Sequence, residues 1–254
     1  MRIILLGSGS YSGTPKPFCG CENCTRARRF PIYRRTRFSL YLGKLKAIVD
    51  PSPDLHYHLE HLNEKVEQVL ITHPHFDHIA GVPELQIFEK LTFYSHEETL
   101  RVVKWLQEAF VGEKRWEHVS LSFGEWKSFG NFNVLHFRTP HKPGDVAGGF
   151  VIEIGGKKIG ITGDTGPEIL KDEKTLESLT DLDLLVVEMT HRESIPGTHL
   201  GVEDALRLVE LTKPELAVFA HISHNNYPHE ILERKVMERG IRGIVGRDFL
   251  HLDI

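Results

Sequence analysis

Several features are scarce in this chain of 254 residues, and each scarcity removes a class of protein. No stretch approaches the roughly 20 apolar residues of a membrane-spanning helix, so a membrane-embedded protein is not expected. No secretory or targeting segment is visible. Arg2-Ile3-Ile4-Leu5-Leu6 is too short for a signal-peptide apolar region and reads as a first strand. Excess positive charge is missing too: the net charge of −4 argues against a general nucleic-acid surface. There is no internal repeat, linker or low-complexity tract, so residues 1–254 read as one α/β domain with ample core at 40% hydrophobic. Cysteine is rare, and all 3 lie in Cys19-Gly20-Cys21-Glu22-Asn23-Cys24. An odd, clustered set is not a disulfide framework.

Three thiolates need one more donor to complete a tetrahedral zinc site. With no fourth cysteine, a histidine must supply it, and the segment at about 18–25 reads as a zinc-binding loop. Thiolates reserved for metal fit a reducing compartment, which makes the cytoplasm the expected location.

Histidine is what the chain has in quantity, 16 in all. His73-Pro74-His75-Phe76-Asp77-His78 follows the apolar run Val69-Leu70-Ile71 and Thr72. Neutral imidazole and carboxylate suit Zn²⁺, Mn²⁺ or Fe²⁺. On a loop leaving a strand, His73 and His75 can turn toward one metal while Asp77 and His78 turn toward another. Two metals about 3.5–4 Å apart can share one hydroxide and clamp both oxygens of a displacement reaction. Other strand candidates also end in ligand-type residues. Asn131 to Arg138 delivers His141, Lys157 to Thr162 delivers Asp164, and Glu215 to Ala220 delivers His221. Such strand ends gather functional groups at one sheet edge.

His56-Tyr57-His58-Leu59-Glu60-His61 repeats the spacing but follows Pro51-Ser52-Pro53-Asp54, so it reads as a partly solvated helix capped by Asp54. On a helix, i and i+2 point apart, and His56 and His58 cannot easily share a metal. Gly7-Ser8-Gly9-Ser10-Tyr11-Ser12-Gly13 lacks the Lys-Ser/Thr ending of a phosphate loop and reads as a tight turn near the active edge. Arg26, Arg28, Arg29, Arg34, Arg35 and Arg37 are surface candidates, with Arg37 the one expected to reach a substrate anion. Glu97 to Phe110, Val202 to Leu211 and His229 to Arg239 carry helical periodicity. Gly149 to Ile154 and Lys157 to Thr162 form a hairpin through Gly155-Gly156, and Leu182 to Glu188 is a buried strand.

The pattern H-x-H-x-D-H, then a downstream His, Asp and His, resembles the metallo-β-lactamase fold superfamily over nearly the whole chain. The resemblance implies a four-layer αβ/βα sandwich, two mixed sheets flanked by helices with the metal site at one edge. It further implies that His73, His75 and His141 hold one metal, that Asp77, His78 and His221 hold the other, and that Asp164 bridges them. Asp50 matches the acidic position that orients the ligand loop. The C-x-C-x-x-C loop narrows the likeness to the branch of the carbon–phosphorus lyase pathway cyclic phosphodiesterase. So do Arg34-Arg35-Thr36-Arg37 and the strand Phe38 to Leu42. In that branch a His three residues after the last catalytic His joins Cys19, Cys21 and Cys24 on the zinc, here His224. His199 corresponds to a histidine that sits over the metals and contacts phosphate. A free imidazole there suits a general acid.

The expected protein is therefore a metal-dependent phosphodiesterase acting on a small cyclic or nucleotide-like diester, with Asp77 and His199 in catalytic roles. It would carry two catalytic ions, Zn or Mn with Fe as a further option, and one structural Zn. Its partner is a small-molecule substrate, and a homodimer is compatible with the sequence. A pyrroloquinoline quinone synthesis B-like oxidative protein and a lactone or thioester hydrolase are the alternatives. The stretch from Val111 to Trp126 holds no long exosite arm, which weighs against a transfer-RNA 3′-processing enzyme.

Overall fold

The computed structural model describes residues 1–142 and 146–254. The chain first lays down β1 (Arg2–Gly7), β2 (Ser39–Leu42), β3 (Ala47–Val49), β4 (Gln68–Leu70), β5 (Lys90–Ser95) and β6 (Arg115–Ser120) side by side. It then crosses to a second sheet and builds β7 (Trp126–Ser128), β8 (Phe132–Arg138), β9 (Gly148–Ile154), β10 (Lys157–Ile161), β11 (Leu184–Glu188), β12 (Ala217–Ala220) and β13 (Gly243–Val245). The last strand, β14 (Leu250–Asp253), returns to the first sheet and pairs antiparallel with β1. Both sheets are mixed. Strands β3 to β6 run parallel in one and β10 to β13 in the other, while the remaining pairs are antiparallel.

Period-two alternation sorts the side chains into layers. Ile3 and Leu5 of β1 face Phe150, Ile152, Leu184 and Val186 of the opposite sheet, whereas Ile4 and Leu6 face outward. Helices cover each outer face. Leu55 and Leu62 of α2 (Leu55–Leu62), with Leu100 and Val103 of α4 (Glu97–Phe110), cover the first sheet. Leu206 and Val209 of α6 (Val202–Thr212), with Leu232 and Val236 of α7 (His229–Glu238), cover the second. Shorter helices α1 (Glu22–Arg29), α3 (Phe76–Ile79) and α5 (Glu173–Ser178) lie in connections. This is the expected αβ/βα sandwich. Each fully buried Leu or Ile contributes roughly 1.5–3 kcal/mol. No helix among the described residues is long and apolar enough to cross a membrane.

Several local expectations meet their physical reasons here. Gly155 (φ 58°) and Gly156 (φ 79°) turn the β9–β10 hairpin, a pair of left-handed residues that a tight two-residue hairpin requires. The His56–His61 segment is helical as expected, yet His58 is fully buried and bonds Thr36 Oγ1 at 2.8 Å. Asp54 does not cap that helix with its side chain. Its carboxylate instead accepts from the Arg37 backbone N–H (2.8 Å) and from Arg37 Nη1 (3.0 Å). Arg37 is thereby paired with Asp54.

Three buried histidines are held in their neutral form. Burial pushes His58 down to about 4 and His136 down to about 3. His229 falls to about 4 through burial, aided by the Arg35 and Arg247 guanidinium groups. His136 stacks on Phe150 at 4.6 Å, and neither ring nitrogen has a hydrogen-bond partner. Below the ordinary histidine pKa of about 6.5, the unfolded chain binds protons that the folded one refuses. Stability present above that value is lost progressively as pH falls toward these folded values. The melting temperature should drop steadily between about pH 6.5 and pH 4, and His136→Phe should flatten the drop without lowering the melting temperature at pH 7. Melting curves across that range check this; a pH-independent melting temperature in the wild type would contradict it.

Candidate metal centre

The ends of five strands converge. Past β4 come Thr72, His73 and His75; past β8 comes His141; past β10, Asp164; past β12, His221; and β11 ends in Glu188. Backbone geometry makes this possible at three points. Gly163 (φ 60°) precedes Asp164, and a Cβ there would stand 2.8 Å from the Gly148 carbonyl and 3.0 Å from Thr72 Cβ. Asp50 (φ 55°) and His221 (φ 54°) are non-glycine residues in the left-handed region, a conformation costing on the order of 1–3 kcal/mol that its surroundings must impose. At His221 the imposition is visible. Ile222 N–H donates to Ser8 O (2.9 Å), Ser10 N–H to Ile222 O (3.3 Å) and Ser223 N–H to Thr190 O (3.1 Å). The Gly7–Gly13 turn therefore lies at the edge that carries these donors, with the Gly9, Ser10 and Gly13 N–H groups bonded to backbone and the Ser8 N–H to Asp248 Oδ1.

Three donor clusters share the Asp164 carboxylate: the two expected ones, and a third that joins Asp164 and His221 to Glu188 and His199. Ligand-type atoms of His73, His75, His141 and Asp164 lie within 4.8 Å of one another, and so do those of Asp77, His78, Asp164 and His221. In the first cluster, Nδ1 of His75 stands 3.0 Å from Nε2 of both His73 and His141. In the second, Asp77 Oδ2 is 3.3 Å from Nε2 of His78 and of His221. Asp164 reaches across: Oδ2 is 3.8 Å from His73, 3.7 Å from His141 and 3.5 Å from His78, and Oδ1 is 3.4 Å from His221.

The charges are arranged accordingly. Burial, then the neighbouring His78, holds His73 well below the usual histidine range; burial and His141 lower His75. Burial would raise the Asp164 carboxyl, but the His221 and His78 imidazoles outweigh it and hold the group ionised, as His78 and His221 do for Asp77. Burial likewise opposes charge on His78, yet Asp77, Asp164 and Asp50 raise it well above its usual value. His78 Nε2 is nonetheless buried without a hydrogen bond. An orphaned buried nitrogen, converging imidazoles and ionised carboxylates form a donor set that fits divalent cations.

The other ring nitrogen of four of these histidines, His73, His78, His141 and His221, is anchored. Asp50 accepts from His78 Nδ1 (2.8 Å), from the Thr72 N–H (2.8 Å) and from Thr72 Oγ1–H (2.8 Å). His73 Nδ1 meets Thr72 Oγ1 (2.9 Å), His141 Nδ1 donates to Thr198 O (2.6 Å), and His221 Nδ1 meets Thr190 Oγ1 (2.9 Å). Such outer bonds fix which nitrogen faces a metal. His199 stands beside the shared carboxylate. Its Nδ1 is 3.0 Å from Glu188 Oε2 and 3.8 Å from Asp164 Oδ2. Burial opposes its charge, but Glu188 and Asp164 raise it to about 9. Glu188 also accepts from Thr165 N–H and Thr190 Oγ1–H. Sequence reading passed over Glu188 and Thr190. The signal for Glu188 was present: a lone carboxylate ending the apolar strand Leu184–Glu188, the pattern that delivers the other ligands.

The cysteine loop forms its own cluster with His224, its four ligand-type atoms within 4.8 Å. Cys19 Sγ and Cys21 Sγ lie 3.5 and 3.6 Å from His224 Nδ1. Burial pushes the Cys24 thiol up to about 12, so its thiolate needs a cation nearby, and burial together with Lys16 keeps His224 neutral. Thiolates with one neutral imidazole fit a structural zinc. Asn23 ties this loop to the edge that carries the histidine clusters: its Nδ2 donates to His224 O (3.1 Å) and Asn226 O (2.9 Å), while Asn226 Nδ2 donates to Met189 O (2.8 Å).

Residues 46–222 match the family model described as Beta-lactamase superfamily domain. Among curated proteins, an Octanoyltransferase of Porphyromonas gingivalis is 34% identical over 41% of this chain and 22% of its own length. Coenzyme PQQ synthesis protein B of Bradyrhizobium diazoefficiens is 30% identical over 41% of this chain, which spans 38% of that relative. A UPF0173 metal-dependent hydrolase of Carboxydothermus hydrogenoformans is 27% identical over 64% of this chain and 68% of its own. The fold is shared with Zn²⁺-bound PqqB from Methylobacterium extorquens (TM-score 0.84, 19% identity, 100% of both chains). It is also shared with a diphosphatase from the PhnP family (TM-score 0.82, 23% identity, 100% of this chain and 97% of the other).

Asp50 is the testable anchor of the arrangement. Asp50→Ala would leave three buried donors unpaired, each costing roughly 1–3 kcal/mol. Urea unfolding of metal-free protein should show a loss of at least about 3 kcal/mol; a loss below about 0.5 kcal/mol would remove Asp50 from that role.

Proposed function

The chain belongs to the Beta-lactamase superfamily, and we propose that it is a metal-dependent hydrolase whose substrate is a small cyclic or nucleotide-like phosphodiester. One observation carries this reading. Two histidine-rich donor clusters meet at Asp164, and a histidine surplus to both, His199, stands against Glu188 in the third cluster on that carboxylate. His73, His75, His141 and Asp164 would hold one divalent cation, and Asp77, His78, His221 and Asp164 the other, zinc or manganese with iron a further option. Such ions, when bound, supply Lewis-acid charge that polarises a phosphoryl oxygen and acidifies water. Cys19, Cys21, Cys24 and His224 would hold a third ion as structural zinc.

The chain's own residues then divide the work. Glu188 binds the Nδ1 side of His199 and sets the ring's orientation. The proton on Nε2 is the one available to a departing alkoxide, since Nδ1 faces Glu188. Buried Asp77 and Asp164 stay ionised and balance positive charge, while the Asp50, Thr190 and Thr198 bonds hold three ligand rings in one tautomer. The likeness to the PhnP-family diphosphatase supports phosphorus chemistry. A second reading, an oxidative role, draws on the match to Coenzyme PQQ synthesis protein B; iron in the purified protein with oxygen-dependent turnover would favour it.

Elemental analysis of protein saturated under reducing conditions should find about three ions per chain, two at the clusters and one at the cysteines. A stoichiometry that never exceeds one would overturn the dinuclear assignment. Cys21→Ser should lose one ion and melt at a lower temperature, because binding free energy at such a site is folding free energy.

His199→Ala should keep both catalytic ions. Its turnover of a diester with a poor leaving group should fall by roughly 10²–10⁴-fold, with a smaller loss for a nitrophenolate leaving group, which departs without a proton. Equal losses on the two substrates would make His199 a phosphate binder, and a lost ion would make it a ligand. Unchanged rates on both would remove it from the mechanism.

A further inference from the structure

We propose that Tyr11 and Phe76 form an aromatic corner beside the metal clusters that takes a planar group of the substrate, a nucleobase in preference to a bare sugar or alkyl chain. The inference rests on the phosphodiester reading of the adjacent clusters and narrows it.

The two rings are large, apolar and left in solvent: Tyr11 is 63% and Phe76 57% exposed. Their centroids lie 6.2 Å apart with planes inclined at 56°, so together they make a corner and not a flat patch. Phe76 belongs to the segment that carries His75 and Asp77, and Tyr11 to a turn hydrogen-bonded to the segment that carries His221. Phe76 stands between His75 and Asp77, and the following residues Asp77, His78 and Ile79 are buried. Tyr11 follows Ser10, whose N–H donates to the carbonyl of Ile222, the residue after His221. The corner therefore joins the His75–Asp77 side of the centre to the His221 side.

Neither backbone is loose. The Tyr11 carbonyl accepts from Arg37 Nε (3.2 Å), and Arg37 is itself held by Asp54. Gly13 N–H returns to Ser10 O (2.8 Å), and Thr14 N–H donates to Arg35 O (2.8 Å). Phe76 lies in the first turn of α3, where Ala80 N–H donates to its carbonyl (3.0 Å). Fixed backbones with exposed rings are a ready surface for stacking, since every base presents a π-face. Neither ring belongs to any of the three apolar clusters that hold the fold. Trp105 and Phe110 make a similar exposed pair, 5.9 Å apart, but α4 carries no ligand-type residue of the centre, so that pair supports no subsite.

Calorimetric titration of the metal-loaded protein with adenosine 5′-monophosphate and with ribose 5-phosphate tests the corner without relying on turnover. The two ligands share a phosphate and differ in the base. The wild type should prefer the nucleotide by roughly ten- to a hundredfold, the size of a base–aromatic stack. Tyr11→Ala and Phe76→Ala should each erode that preference while ribose 5-phosphate binding and metal content stay as in the wild type, and Tyr11→Phe should retain it. Tyr11 lies outside the ligand loop, so its variants decide the matter if Phe76→Ala disturbs metal content. Equal wild-type affinities, or a preference that survives Tyr11→Ala, would overturn the corner alone. Failure of both ligands to bind would overturn the phosphodiester reading as well.

Discussion

Asp164 is the carboxylate on which the centre depends. It is buried among four imidazoles that would otherwise be two separate groups, and it lies within 3.8 Å of His73, His78, His141 and His221. A buried carboxylate is tolerated only with compensating charge. Histidines converging on it need negative charge or a cation for the same reason. Each side therefore justifies the other's burial. The sandwich exists, at this edge, to bring five strand ends close enough for that exchange, and Gly163 lets the chain pass Thr72 and Gly148 to deliver the carboxylate.

Around that pivot, orientation is set by neutral oxygens and two further carboxylates. Asp50 binds His78 from the first sheet, and Glu188, at the end of a strand in the second, binds His199 and Thr190. Thr190 in turn meets His221. The two sheets thus contribute parallel devices: a ligand ring faces the centre with one nitrogen and is fixed through the other. Arg37 shows the reverse case. An arginine suited to anion recognition is spent on Asp54, and in being so it braces the turn that carries Tyr11.

The cysteine cluster belongs to the same construction although it shares no residue with the clusters around Asp164. His224 is three residues from His221, whose left-handed backbone is held by bonds on both sides. Asn23 and Asn226 connect the loop to the segment of Met189 and Thr190. A short covalent and hydrogen-bonded path therefore connects the loop to the centre, a connection that residue spacing does not reveal.

Ligand types and their order along the chain are properties of the sequence. H-x-H-x-D-H after an apolar run, single ligands after later strands and a tight cysteine cluster were legible because each is a local pattern with a chemical meaning. So were the alternation that builds the layers and the Gly155-Gly156 turn. Other features depended on neighbours distant along the chain. The His56–His61 decoy was separable by its helical context, but the full burial of His58 against Thr36 was not. Asp54 is a good helix cap by propensity, yet Arg37 offers it a stronger, charged partner. Glu188 and Thr190 gain their roles only when β11 lies beside β10 and β12. Sequence determines which groups are available and which elements carry them; which lone pairs meet, and which charges are shared, is decided by packing, because a buried polar group takes the best partner that the fold brings within reach.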